Sequence, residues 1–139
     1  MVIFVLDSSA VLRYTDSEAG ADRLAEIFAL KIAGVADVWI SAVNYGEVVH
    51  IILRRHGAEA VRRALVSLQA LPLRVVPVTA ERAYRAAEIK VKYKIHYSDC
   101  FLAELASDSP DHVVVTADFD LKPAATDFKI EFLPTKPVV

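Results

Sequence analysis

Val2-Ile3-Phe4-Val5-Leu6-Asp7-Ser8-Ser9 opens the chain with five apolar residues that run without a polar break into a carboxylate. Alternating polarity would mark a strand with one wet face. An unbroken β-branched and aromatic run instead predicts a strand covered on both faces, as in the centre of a parallel sheet. In open sheets of that kind, sites form beyond the carboxyl ends of the strands, where the strand-to-helix loops converge. Asp7 stands at such an end, so one stretch sets both the fold class and the place to look for chemistry.

Beyond the short segment Ser8 to Tyr14, Ala21, Leu24, Ala25, Ile27, Phe28 and Ile32 recur at helical spacing and predict a helix from about Ser17 to Ile32, stopped by Gly34. Val38-Trp39-Ile40 is a second strand, and Ser41 is placed to cap a helix running to about His56, with Gly57 as its stop signal. A further helix, Ala58 to Leu71, ends at Pro72, and a strand follows over Leu73 to Val78. Thr79 caps a helix with Ala83, Tyr84, Ala87, Ile89 and Val91 turned inward and Arg82, Arg85, Glu88, Lys90 and Lys92 outward. Ser98 caps the next, whose Phe101, Leu102, Leu105 and Ala106 face the core. His112 to Val115 is a buried strand, and Lys129 to Phe132 a short edge strand. Strands alternating with helices predict an α/β fold: a mainly parallel central sheet of about four to five strands, flanked by helices on both faces.

The length of 139 residues suits a single domain, read here as residues 1–133 with a short tail at 134–139. At 55% hydrophobic and 24% charged residues the chain can bury a substantial core. No apolar stretch is long enough to cross a membrane, since even Ala42 to Leu53 is broken by Asn44, Glu47 and His50. The N-terminal residues lack the basic region of a signal peptide, so a cytoplasmic location is expected. Cys100 is the only cysteine, which rules out an internal disulfide and a cysteine zinc site. A net charge of −2 means that any contact with a polyanion must come from local patches.

Four acids can share one mouth of such a sheet: Asp7 after the first strand, Asp118 after the strand His112 to Val115, Asp99 at a helix start, and Glu47 in the helix after Trp39-Ile40. Asp7, Asp99 and Asp118 each have an ordinary use as a cap, a helix-dipole partner or a turn former. Glu47 is harder to place that way, because its helix is apolar almost all round and no Lys or Arg lies within a turn. Crowded carboxylates repel unless a cation compensates them, and an all-oxygen donor set without cysteine selects Mg²⁺ or Mn²⁺ over zinc.

The series Val5-Leu6-Asp7-Ser8-Ser9-Ala10-Val11-Leu12, Ser41 through Glu47-Val48, Tyr97-Ser98-Asp99-Cys100-Phe101-Leu102-Ala103-Glu104-Leu105-Ala106 and Val114-Val115-Thr116-Ala117-Asp118-Phe119-Asp120-Leu121 resembles the PIN-domain ribonucleases, in particular the VapC-type toxins of prokaryotic toxin–antitoxin pairs. The resemblance spans nearly the whole chain, and it lies in the order of the four acids and their flanks, since no single motif is specific. It implies metal-binding acids at Asp7, Glu47, Asp99 and Asp118, with Asp120 as a further candidate. Supporting groups are expected at Ser9, Thr116 and Asn44, which would orient the carboxylates. It also implies hydrolysis of RNA with Mg²⁺ or Mn²⁺, a small antitoxin partner that obstructs the site, and a homodimer. Leu121 departs from the family, where an aromatic residue is common.

Phosphate contacts are expected from Arg54, Arg55, His56, Arg62 and Arg63 near one helix junction and from Arg82, Arg85, Lys90, Lys92 and Lys94 in another helix, with Arg54, Arg55, Arg82 and Arg85 foremost, against the plain alternative of solvated helix faces. His50, His56, His96 and His112 show no metal-ligand spacing. A phosphatase with a nucleophilic aspartate is disfavoured by Ser9, which stands where a second carboxylate is wanted. Nucleotide-cofactor folds are disfavoured because Gly20, Gly34, Gly46 and Gly57 form no glycine-rich loop. A non-catalytic module that binds metal or a basic partner remains the competing reading.

Overall fold

The computed structural model describes residues 1–135. Its elements in chain order are β1 (Val2–Leu6), α1 (Ser8–Thr15), α2 (Ala21–Ile32), β2 (Ala36–Ser41), α3 (Ala42–Ala70), β3 (Arg74–Val76), α4 (Ala80–Tyr93), α5 (Tyr97–Ala106), β4 (His112–Thr116), a 3-10 helix (Phe119–Ala124) and β5 (Lys129–Phe132). The strands form one sheet in the order β3-β2-β1-β4-β5. Every neighbouring pair is parallel. β1 is therefore the central strand, as its composition requires. The strand order reverses on either side of it, and the crevice beyond the ends of β1 and β4 is the switch point where such sheets place their sites.

Successive side chains of a strand point to opposite faces, and the two cores follow from that. Phe4 and Leu6 of β1 pack with Val38, Ile40 and Val115 beneath Val11 of α1, Leu24, Ile27 and Phe28 of α2, and Val48 and Leu68 of α3. Val5 and Val114 face the other way, against Ala86 of α4 and Cys100, Phe101, Leu102 and Leu105 of α5. Burying each large aliphatic side chain contributes about 1.5–3 kcal/mol, so both faces of the sheet anchor it. α5 is buried at every position from Asp99 to Ala106.

Several local expectations need correction. Ser8 to Thr15 is a full helix, with Asp7 as its cap. α2 starts at Ala21 and not near Ser17, because Ser17 (φ 52°) and Gly20 (φ 93°) both take left-handed backbone and turn the chain first. An added Cβ at Gly20 would lie 3.1 Å from Leu133 Cβ, so Leu133 would have to give by a few tenths of an ångström, on top of the strained backbone. The cap of α5 is His96 and not Ser98. In α4 the buried residue is Ala86, whereas Tyr84 and Val91, expected inside, are 71% and 80% exposed. Ser41 and Thr79 do cap α3 and α4, accepting from the amides of Val43 and Arg82. Gly57 adopts φ 85° and ψ 178° within α3, so the two helices expected there meet at a sharp joint. Of the tail read at 134–139, residues 136–139 lie outside the described residues.

Candidate active site

Asp7 follows the last residue of β1, is 3% exposed, and is held from three sides. Its Oδ1 accepts from the Ala10 amide at 2.9 Å and from Ser9 Oγ at 2.7 Å. Its Oδ2 accepts from Thr116 Oγ1 at 2.5 Å. The same Thr116 oxygen accepts from the Asp118 amide at 2.9 Å, and Ser9 Oγ accepts from the Ala117 amide at 2.9 Å. The ends of β1 and β4 are thus laced together by two hydroxyls. Capping α1 and belonging to the site are compatible roles for Asp7, because one oxygen serves the cap and the other faces Thr116.

Asp99 lies in the first turn of α5, 6% exposed, and its Oδ2 is a buried oxygen without a hydrogen-bond partner among the described residues. Burial pushes its carboxyl up to about 7, with the negative charges of Asp118, Asp7 and Glu47 adding to the effect and His96 opposing it. Asp7 is pushed up to about 6, again chiefly by burial, with Thr116, Ser9 and the Ala10 amide pulling the other way and Asp118 adding to the rise. The charges felt at Asp99 place all four predicted acids in one electrostatic neighbourhood.

Glu47 is half-buried and has partners, contrary to the expectation of an unpaired carboxylate. Asn44 Nδ2 donates to its Oε1 at 2.9 Å and Ser8 Oγ at 3.4 Å. Asn44 is fully buried and also donates to the Ser98 carbonyl at 3.2 Å, tying α3 to the start of α5. Its own Oδ1 has no partner among the described residues. Asp118 caps the 3-10 helix, accepting from the Asp120 amide at 2.9 Å. Asp120 is exposed and pairs with His96 at 3.3 Å. Asp118 therefore belongs with Asp7 and Asp99, and Asp120 belongs to the rim.

The donor set is oxygen throughout, and two buried oxygens, on Asp99 and Asn44, stand without partners. Unsatisfied buried oxygens beside mutually repelling carboxylates fit a hard divalent cation and its waters. Among the described residues no three acid, imidazole or thiol groups are gathered at the spacing of a single ion.

Arg82 and Arg85, expected at phosphates, are already engaged. Both reach Glu104, which is 1% exposed, with Arg82 Nη1 at 2.8 Å and Arg85 Nη2 at 2.7 Å. Arg82 also holds Asp108 and Arg85 holds Glu81. Glu104 was missed from sequence although it shows the signal that singled out Glu47, an acid inside an apolar helix. Arg54 and Arg55 are solvent-exposed. His112 is structural, bonded through Nδ1 to the Leu105 carbonyl at 2.9 Å and packed edge-on against Trp39. A groove of about 1090 Å³ lies on the opposite face from α5, between the α1–α2 turn and α3, with Tyr14, Ala21, Ile52, Ala60, Ala64 and Leu71 in its wall.

With Asp7 and Asp118 beyond the ends of the central strands of an all-parallel sheet and Asp99 and Glu47 on α5 and α3 beside them, the chain belongs to the PIN domain family, whose model matches residues 4–126. Solved structures share its fold. VapBC2 from Rickettsia felis, bound to a DNA fragment from its promoter, aligns over 96% of this chain and 100% of its own with a TM-score of 0.72 at 14% identity. DNA-bound VapBC from Salmonella typhimurium aligns over 95% and 98% with a TM-score of 0.71 at 18% identity. VapC20 from Mycobacterium tuberculosis, described as a sarcin-ricin loop cleaving toxin, aligns over 94% and 99% with a TM-score of 0.67 at 20% identity. No curated protein sequence matches the chain.

Proposed function

We propose that the chain is a Mg²⁺- or Mn²⁺-dependent endoribonuclease that hydrolyses RNA phosphodiester bonds, acting as the toxin of a toxin–antitoxin pair. The observation that carries this reading is Asp99, a buried carboxylate with an unpartnered oxygen, set among three other acids at the switch point of the sheet. Asp7, Asp99 and Asp118 would hold the metal, which when bound would acidify water and offset charge on the phosphate. Thr116 and Ser9 fix the Asp7 oxygens so that they are not free to rotate toward solvent. Glu47 takes its recorded bonds on Oε1, which leaves Oε2 to orient or accept a proton from the attacking water. Burial around Asp7 and Asp99 lowers the local dielectric, which strengthens each of these interactions.

The toxin reading draws support from the VapBC complexes that share the fold. A small antitoxin would lay an apolar segment into the groove beside α3, and a basic side chain reaching the acids would silence them. Dimerisation and a cytoplasmic location belong to the same reading. Among the described residues no helix is long and apolar enough to cross a membrane.

The test is cleavage of labelled RNA with Mn²⁺ or Mg²⁺ by wild type, Asp7→Asn and Asp99→Asn, alongside calorimetric metal binding. Wild-type cleavage lost by at least a hundredfold in both variants is expected. Equal activity in all three proteins would sink the mechanism, and metal binding without cleavage of any RNA would favour the non-catalytic module.

A further inference from the structure

We propose that the cleft between the end of α4 and the 3-10 helix is a subsite for the sugar-phosphate backbone of single-stranded RNA, with Lys90 and Lys94 as its phosphate contacts and Phe119 as its apolar wall. It rests on the nuclease reading and adds where the strand enters. The cleft is an open depression of about 570 Å³ that brings Lys90, Lys94, His96, Phe119 and Asp120 together. A polyanion approaching four carboxylates on an acidic protein needs local cations, and Arg82 and Arg85 are spent on Glu104. Lys90 and Lys94 differ from them: among the described residues neither forms an ion pair.

Their positions are built, not incidental. Lys94 closes α4 in left-handed backbone at φ 57°, which sets where its side chain leaves the helix, and Lys90 Nζ is anchored on the Ile95 carbonyl. Phe119 is 40% exposed yet fixed, its ring stacked on Phe132 at 5.1 Å with 5° between planes. Lys122 lies over the same ring, with Nζ 5.1 Å from its centre, and braces it further. The cleft is continuous with the acids: His96 precedes the helix that carries Asp99, and it pairs at 3.3 Å with Asp120, whose amide bonds Asp118. A solvated lysine face would explain the charges, but not their concave grouping around a braced aromatic ring beside the acids. Cations along a groove with an exposed ring are what a single strand binds.

The experiment measures anisotropy of a labelled single-stranded RNA with the full chain in EDTA, where no cleavage occurs, from 50 to 200 mM salt. Lys94→Gly is the first variant, since glycine suits the left-handed backbone while the side chain and its ammonium are removed, and Lys94→Gln beside it removes the charge with most of the chain kept. Both are expected to weaken binding about fivefold and to flatten the slope of log affinity against log salt by about 0.7. Phe119→Ala should weaken binding about tenfold with no change of slope, and Phe119→Tyr should restore it. Lys129→Ala, on β5, should change neither. Wild-type affinity and slope in Lys94→Gly and in Lys90→Ala/Lys94→Gly, with RNA cleavage by the parent intact, would overturn the subsite and leave the nuclease reading standing. A parent that neither binds nor cleaves RNA would overturn both.

Discussion

Thr116 Oγ1 donates to Asp7 Oδ2 at 2.5 Å across the ends of two neighbouring strands. The hydroxyl is fully buried, and because it also accepts the Asp118 amide it fixes two acids with one side chain. The β1–β4 pairing is thereby converted into carboxylate geometry, a link from sheet register to chemistry.

Replacing that hydroxyl isosterically separates its role from packing. Thr116→Val keeps the volume and leaves Asp7 Oδ2 and the Asp118 amide without their partner. A loss of about 1–3 kcal/mol in urea unfolding is expected. Thr116 is the strongest influence holding the Asp7 carboxyl down, so the acidic limb of the cleavage pH profile should move upward.

The raised carboxyls predict how metal-free stability depends on pH. Asp7 (about 6) and Asp99 (about 7) sit above the ordinary 3.8, so between pH 4 and pH 7 the folded state holds protons that the unfolded chain releases. Stability from these groups is complete below that window and is lost as pH rises through it, by about 1.4 kcal/mol per pH unit for a fully buried group such as Asp7. Urea midpoints in EDTA should fall from pH 4.5 to pH 7.5. Asp7→Asn and Asp99→Asn should flatten the fall, and millimolar Mn²⁺ should reverse it at pH 7.5.

Asp118 and Asp120 stand two residues apart but in different surroundings. Asp118 presses on both Asp7 and Asp99, whereas Asp120 is exposed and paired with His96. Asp118→Asn should weaken Mn²⁺ binding by more than tenfold in calorimetry, and Asp120→Asn by less than threefold. Glu47→Gln should fall between them, since its charge is the weakest of the three acids felt at Asp99.

The Glu104 cluster should behave as structure. Glu104→Gln leaves Arg82 and Arg85 facing a neutral group, and a loss of about 3 kcal/mol is expected, toward the low end for a broken buried pair because both arginines reach solvent. Denaturant titration measures it, and Mn²⁺ affinity should remain within twofold of wild type.

The parallel sheet was legible because its central strands are apolar runs whose burial is written in composition. The edge strand Lys129–Phe132 was also read with its observed ends. α4 was misread because its inner side carries Arg82, whose burial makes sense only once Glu104 on α5 is opposite, a pairing 22 residues away in the chain. Glu47 was singled out for lacking a basic neighbour, yet an uncharged amide one turn earlier, Asn44, satisfies it. The grouping of the four acids at one mouth was legible from the strand-end rule, but the hydroxyl lacing of Asp7 by Ser9 and Thr116 depends on strand order and was legible only through family resemblance. Lys90 and Lys94 are legible in sequence as candidate phosphate contacts, but the left-handed turn that groups them beside Phe119 is not.

The joint at Gly57 divides one long helix into two tenants with different obligations. The first half answers to the acids through Asn44 and Glu47, while residues on both sides of the joint, from Ile52 to Leu71, form a wall of the groove. Among the described residues nothing lies within 4 Å of where a Gly57 Cβ would be, so the joint itself is unpacked, while Leu68 anchors the second half in the core. The exposed positions of that half can change sequence to keep pace with a changing partner while Leu68 and the residues that hold Glu47 stay as they are.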